Sequence, residues 1–236
     1  MDIVEDMAYA AVIEPFSDIW IKTSSICVGV LIFSFFIMVY APKKWLKYLG
    51  LLFLMDVLFA EVVYWFMGDW NIYWALPLQY CTIMEIFAGI ALITRWQWVF
   101  EMVLFLGALG PIQALIAPAF PYEGIYFRLD FYFAHTIPLL APLLLMIKEQ
   151  MRPRPHAWWK SCVRFLVFTV VIFYFDYFID ANYMFLMEMP PLDHPLIGLG
   201  EWPQYIFFGI GIFVLWSGMI NLFFWVPRKW YSAHQG

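Results

Sequence analysis

Long runs of apolar residues, separated by short polar stretches, recur along the whole chain. A helix needs roughly 20 mostly apolar residues to cross a bilayer, and seven runs approach that length. We predict spanning helices at about 24–40, 46–68, 76–94, 98–117, 131–147, 162–180 and 203–226. The pattern therefore predicts an all-α polytopic membrane bundle of about seven helices, forming a single domain over residues 1–236.

Two segments do not fit a spanning pattern. Residues 1–23 carry several acidic side chains ahead of the first run, and we expect them to form an extracellular segment at the membrane interface. Residues 181–202 form a long and rather apolar connection. We expect this connection to be extracellular or to re-enter the membrane.

The composition supports a membrane location. The chain is 64% hydrophobic and 13% charged, whereas soluble domains have about 25% charged residues. A soluble fold could not cover so much apolar surface, so the expected partners are membrane lipids. Nucleic acid is not expected, because no dense basic run is present. The three cysteines have no CxxC spacing, so we expect neither a metal site nor a cofactor, and the oligomeric state is left open.

Positive charge is concentrated in alternate connections. Of the 13 Lys and Arg residues, all but Lys22 and Arg128 follow the first, third and fifth predicted spans or lie in the C-terminal tail. Basic connections stay on the cytoplasmic side of a membrane. The rule places the N-terminus outside and the C-terminus in the cytoplasm, as an odd number of spans requires.

Polar side chains interrupt the predicted helices, mostly in the half nearer the outer surface. Such groups are costly in lipid, so they usually face the interior of a bundle and often mark function. They indicate one outward-facing polar pocket. The polar residues are Asp56, Glu61, Gln79, Cys81, Glu85, Gln113, His135, Asp176 and Asn182, and Tyr183 follows directly.

Cys81 has both a reactive and a structural interpretation. It lies near the start of the third predicted helix, where the helix dipole favours a thiolate. Glu85 lies four residues later and shares its face. A helical cysteine is also commonly a small buried residue, and a neighbouring carboxylate disfavours the thiolate. The spacing alone leaves both interpretations open.

Five sequence blocks occur in a characteristic order and spacing. They are LPLQYC at 76–81, GALGPIQALIAPAF at 107–120, FRLDFYFAH at 127–135, and NYMFL at 182–186 with GLGEWPQY at 198–205. In order and spacing the chain resembles the YwaF-like bacterial membrane proteins and the eukaryotic transmembrane protein 164 family. The resemblance implies a multi-pass membrane protein, and its bacterial members imply a location in the bacterial plasma membrane.

The resemblance also implies a chemistry. The eukaryotic relatives have been assigned a cysteine-dependent phospholipid acyltransferase activity, and the cysteine concerned resembles Cys81. The resemblance makes His135, in the FRLDFYFAH block, the natural partner that takes the thiol proton. Gln79, Gln113 or Asn182 would then donate hydrogen bonds to the oxyanion.

Two other functions fit the same residues. Intramembrane carboxylates such as Asp56, Glu61 and Glu85 suit a non-enzymatic receptor or a proton-coupled transporter for a small or lipidic ligand. Such a protein should tolerate loss of the Cys81 thiol, whereas an acyltransferase should not. A metal-dependent hydrolase would need His135 and His194 to meet, with Glu61, Asp176 or Asp193 as further ligands, although the chain has no HExxH motif.

Overall fold

Helices build nearly all of the structure, a computed structural model that describes residues 11–116, 118–120, 124–189, 198 and 200–233. The helices are α1 (Asp18–Tyr40), α2 (Trp45–Met67), α3 (Tyr80–Thr94), α4 (Gln97–Leu106), α5 (Leu109–Ile116), α6 (Ile125–Lys148), α7 (Ala157–Ile179) and α8 (Gln204–Ala233). A 3₁₀ turn spans Tyr183–Phe185. Strands β1 (Ala11–Val12) and β2 (Ala119–Phe120) form one antiparallel pair. The expected all-α class is confirmed.

Four of these helices are long and apolar enough to cross a membrane. They are α1, α2, α7 and residues 204–224 of α8. A fifth candidate is α6, which is bent by 42° between Thr136 and Pro138. Proline lacks the N–H of a helical hydrogen bond, so a bend here is expected. The multi-pass membrane class is therefore confirmed, whereas seven spans and the orientation of the termini remain predictions.

The remaining two predicted spans are shorter in the structure. The run at 76–94 becomes helical only at Tyr80, because Gln79 before it has extended backbone angles. The run at 98–117 is divided into α4 and α5 around Gly107 and Ala108. Apolar composition sets where the chain is buried, but it does not show where the backbone leaves the helical conformation.

The N-terminal segment joins the bundle rather than standing apart from it. Helix α1 begins at Asp18, inside the segment predicted to be interfacial, and Ser17 caps it by accepting a hydrogen bond from the Trp20 N–H at 3.2 Å. The indole of Trp20 donates to the carbonyl of Ile116 at 2.9 Å. Residues 1–10 lie outside the described part of the chain.

The core lies among α2, α3, α4 and α6. Phe53, Met84, Phe100 and Leu144 are fully buried there. The outward faces of α1, α2, α7 and α8 instead carry exposed large apolar side chains. Lipid accepts such a surface at no cost, which explains the excess of apolar residues.

The basic connections meet at one end of the bundle. Glu149, after α6, pairs with Lys43 at 3.4 Å and with Arg95 at 3.3 Å. The Lys148 ammonium donates to the carbonyl of Val39 at 2.9 Å. The C-terminal ends of α1, α3 and α6 therefore lie together, and we call this the basic end.

Candidate functional site

Cys81 lies in the first turn of α3, where α5 packs closely against it. A Cβ added at Gly110 would lie 2.8 Å from the Cys81 Sγ and 2.7 Å from the Tyr80 ring. The Tyr80 hydroxyl donates a hydrogen bond to the carbonyl of Leu106, the last residue of α4. The start of α3 is thus held against the α4–α5 break. The expectation that Cys81 lies near a helix N-terminus is confirmed.

Three carboxyl groups lie together about one turn deeper than Cys81. Glu85 of α3 is only 2% exposed, and its carboxyl group lies within hydrogen-bonding range of Asp56 on α2. Asp130 of α6 is close enough to interact electrostatically with both, and Tyr126 lies beside Asp130. Two carboxyl groups at such range in apolar surroundings share a proton.

This carboxyl cluster extends the predicted site. Asp130 and Tyr126 are not among the predicted site residues, because the predicted fifth span begins at 131. Their spacing of four residues on one helix was the available signal. One oxygen of Glu85 makes no hydrogen bond to a described residue, so the cluster is not a closed structural network.

His135 lies on α6 and is fixed by its own helix. Its Nδ1 lies 2.7 Å from the carbonyl oxygen of Phe131, and its ring stacks on the Phe131 ring with centroids 4.1 Å apart. Because a carbonyl only accepts, Nδ1 carries the proton and Nε2 is left as the acceptor. The structure contains no hydrogen bond between His135 and Cys81, so this pairing remains a prediction.

Two of the predicted pocket residues, Tyr183 and Gln79, hold the segment 182–189 in place. The hydroxyl of Tyr183 accepts from the Leu76 N–H at 3.0 Å and donates to the Ile72 carbonyl at 2.8 Å. Burial raises the pKa of Tyr183. The side-chain carbonyl of Gln79 accepts from the Met184 N–H at 3.0 Å. These contacts fasten the segment to the residues that precede α3.

Asn182 organises the turn within that segment. Its Oδ1 accepts hydrogen bonds from the N–H groups of Met187 and Glu188, at 3.0 and 3.1 Å. Its Nδ2 donates to the Glu188 carbonyl at 3.0 Å. Both ends of the amide are therefore engaged locally, which favours a structural role over that of an oxyanion donor.

Two carboxyl groups lie near Tyr183, one half-buried and one fully buried. Glu61, near the end of α2, accepts a hydrogen bond from the Trp70 indole at 2.6 Å. Asp176, in the last turn of α7, is fully buried. Its carboxyl group faces the backbone N–H of Tyr183, but neither oxygen has good hydrogen-bond geometry to a described residue.

Some of the sequence predictions fall on residues that are not described. Gln113 lies on α5 with its side chain outside the described part, and Asp193 and His194 lie outside it altogether. Among the described residues, no group of three or more His, Cys, Asp or Glu side chains has metal-binding geometry. The metal-hydrolase hypothesis therefore gains no support from the described site.

These observations define a multi-pass helical membrane protein with buried carboxyl groups and a cysteine near one end of its bundle. The model of the TMEM164 family matches residues 15–220, so the chain belongs to this family. The resemblance seen in the sequence blocks is thereby confirmed for that family. No curated protein and no solved structure matches the chain.

Proposed function

We propose that this protein transfers acyl groups between membrane lipids, with the Cys81 thiol as the nucleophile. The observation that carries the proposal is the position of Sγ, in the first turn of α3 and against Gly110. Because residue 110 has no side chain, the backbone of α5 can approach the sulfur closely. Membership of the TMEM164 family supports a cysteine-dependent reaction on phospholipid.

The proposed reaction has two half-reactions, acylation of Cys81 and transfer of the acyl group to an acceptor lipid. The Cys81 sulfur attacks the carbonyl carbon of a phospholipid ester, and the C–O bond breaks, leaving the acyl group on sulfur as a thioester. The thiol proton passes to the departing lysophospholipid hydroxyl. A hydroxyl of an acceptor lipid then attacks the thioester carbonyl carbon, the C–S bond breaks, and the hydroxyl proton returns to the sulfur.

His135 is the proposed proton carrier. Its Nδ1–H is engaged by the Phe131 carbonyl, which keeps Nε2 available as a base. The dipole at the start of α3 favours negative charge on Cys81.

We further propose seven crossings, with the N-terminus outside, the C-terminus in the cytoplasm and the protein in a bacterial plasma membrane. The connections after α1, α3 and α6 meet at the basic end. Their common location supports a chain that crosses the membrane in alternating directions. Helix α3 is about 22 Å long, and residues 76–79 extend its path. Helices α4 and α5 together would make the fourth crossing.

The experiment is intact-mass measurement of the protein in phospholipid nanodiscs, before and after hydroxylamine. The wild-type protein and Cys27→Ser should carry a hydroxylamine-labile acyl adduct, and Cys81→Ser should not. Gly110→Ala should reduce the adduct, because its methyl group would approach Sγ within 2.8 Å. An adduct that persists in Cys81→Ser, or no adduct in the wild-type protein, would overturn the proposal.

A second candidate function is proton-coupled binding or transport of a small or lipidic ligand. It is favoured by one observation, the cluster of Asp56, Glu85 and Asp130 on three helices. Under this hypothesis, reconstituted protein would acidify or alkalinise the lumen of liposomes when ligand is added. Glu85→Gln would abolish that signal, and Cys81→Ala would retain it.

A further inference from the structure

An apolar cavity of about 240 Å³ lies between α7 and α8. Its walls include Val163 and Leu166 of α7 and Gly209 and Ile210 of α8, while Met184 and Leu186 line it from the segment between these helices. We call it the α7–α8 groove. Neighbouring side chains on the same helices, such as Val167 and Phe208, are exposed, so the groove opens on a surface that lipid covers.

The described residues that line the groove include no charged side chain and few polar ones. The hydroxyl of Thr169 donates to the Phe165 carbonyl at 3.0 Å, and that of Tyr205 donates to the Phe185 carbonyl at 2.5 Å. Both hydroxyl protons are therefore already engaged within the protein. The remaining lining is apolar, and it binds a hydrocarbon ligand through close van der Waals packing.

The inner wall of the groove connects it to the reactive cysteine. Phe165 and Phe213 both line the groove. Both also pack on the Tyr80 ring, with centroids 5.3 and 5.0 Å away. Tyr80 is the residue before Cys81, and both lie against Gly110. The groove therefore opens on the lipid-facing surface and ends one layer of aromatic rings away from Tyr80, the immediate neighbour of Cys81.

We propose that the α7–α8 groove binds one acyl chain of a bilayer phospholipid, directed towards Tyr80. The inference rests on the proposed function in one respect: the chain held here is the one presented to Cys81. Its apolar lining, its opening to lipid and its position one aromatic layer from Tyr80 all suit a hydrocarbon chain rather than a polar metabolite.

The test uses nanodiscs of phosphatidylcholine that contain a phosphatidylcholine with a diazirine in one acyl chain. After illumination, wild-type protein should be labelled at Met184–Leu186, where Leu186 is buried and out of reach of bulk lipid. Gly209→Leu should reduce that labelling several-fold, because the leucine side chain would occupy the space in the groove that the acyl chain fills.

Gly211→Leu is the matched control. An added Cβ meets open space at both glycines, but only Gly209 lines the groove. Labelling should therefore remain at the wild-type level in Gly211→Leu. Leu166→Trp fills the groove from α7 and should repeat the loss seen with Gly209→Leu. Equal labelling in wild type and both groove-filling variants would overturn the inference.

The same preparations separate this inference from the proposed function. Labelling that depends on Gly209 without a hydroxylamine-labile adduct supports the groove and overturns acyl transfer by Cys81. An adduct that forms equally in wild type and Gly209→Leu, with no labelling at Met184–Leu186, supports the thiol chemistry and overturns the groove.

Discussion

Buried acids of this protein differ in how completely they are paired. Glu101 is 1% exposed, yet it accepts hydrogen bonds from Gln97 and from the backbone and guanidinium of Arg154, at 2.8 to 3.0 Å. That contact raises the pKa of Arg154. Glu85 and Asp176 have no comparable cationic partner among the described residues. Glu101 is therefore a structural carboxylate, whereas Glu85 and Asp176 are candidates for function.

Arg154→Ala should destabilise the bundle, because it leaves the Glu101 carboxylate buried without its cation. We expect a loss of about 2–3 kcal/mol, below the full value for a buried pair because the Arg154 side chain is 54% exposed. Thermal unfolding in detergent micelles measures the effect. Lys43→Ala removes a 66% exposed partner of Glu149 and should cost about 0–1 kcal/mol. Equal losses in the two variants would contradict this account.

At the scale of helices, close packing depends on residues that lack side chains. Gly50 of α2 and Gly89 of α3 face each other, and a Cβ added at Gly50 would lie 2.7 Å from the Gly89 carbonyl oxygen. Small residues let membrane helices approach this closely. The contact brings α2 and α3 together within two turns of Asp56 and about one turn of Glu85, and so helps to assemble the carboxyl cluster.

Gly50→Val should force α2 away from α3. Overpacking of this kind costs about 1–3 kcal/mol, visible as a lower midpoint of thermal unfolding in nanodiscs. The matched control is Gly29→Val on α1, where an added Cβ meets nothing within 4 Å, and we expect a change within about 0.5 kcal/mol. A midpoint for Gly50→Val that equals the control would show that α2 and α3 are not closely packed in the membrane.

At the scale of the whole molecule, the charge distribution predicts which end faces the cytoplasm. The exposed positions Glu14 and Glu201 lie on the predicted outer side, and Lys44 and Lys160 lie at the basic end. In a background without native cysteines, single cysteines at Glu14 and Glu201 should react with an impermeant maleimide in intact cells. Those at Lys44 and Lys160 should react only after permeabilisation. Labelling of Glu14→Cys and Lys44→Cys from the same side would exclude the crossing by α1.

Features that depend on local sequence were predictable. Apolar runs predicted the membrane class, because the free energy of transferring a segment into lipid is nearly the sum of the contributions of its residues. The position of Cys81 at a helix start and the bend before Pro138 follow from backbone chemistry within a few residues. The predicted span boundaries were less accurate at α3 and at the α4–α5 break, where the backbone turns within an apolar run.

Only the tertiary structure decided which distant polar groups meet. Asp56, Glu85 and Asp130 come from three helices, and their proximity depends on how those helices pack rather than on hydropathy. The same holds for Gln79 and Tyr183, which hold the segment 182–189 in place, and for the groove between α7 and α8. The sequence by itself determined that this chain is a helical membrane protein with polar groups inside it. Helix packing, set by close contacts such as Gly50 with Gly89, determined which of those groups share a site.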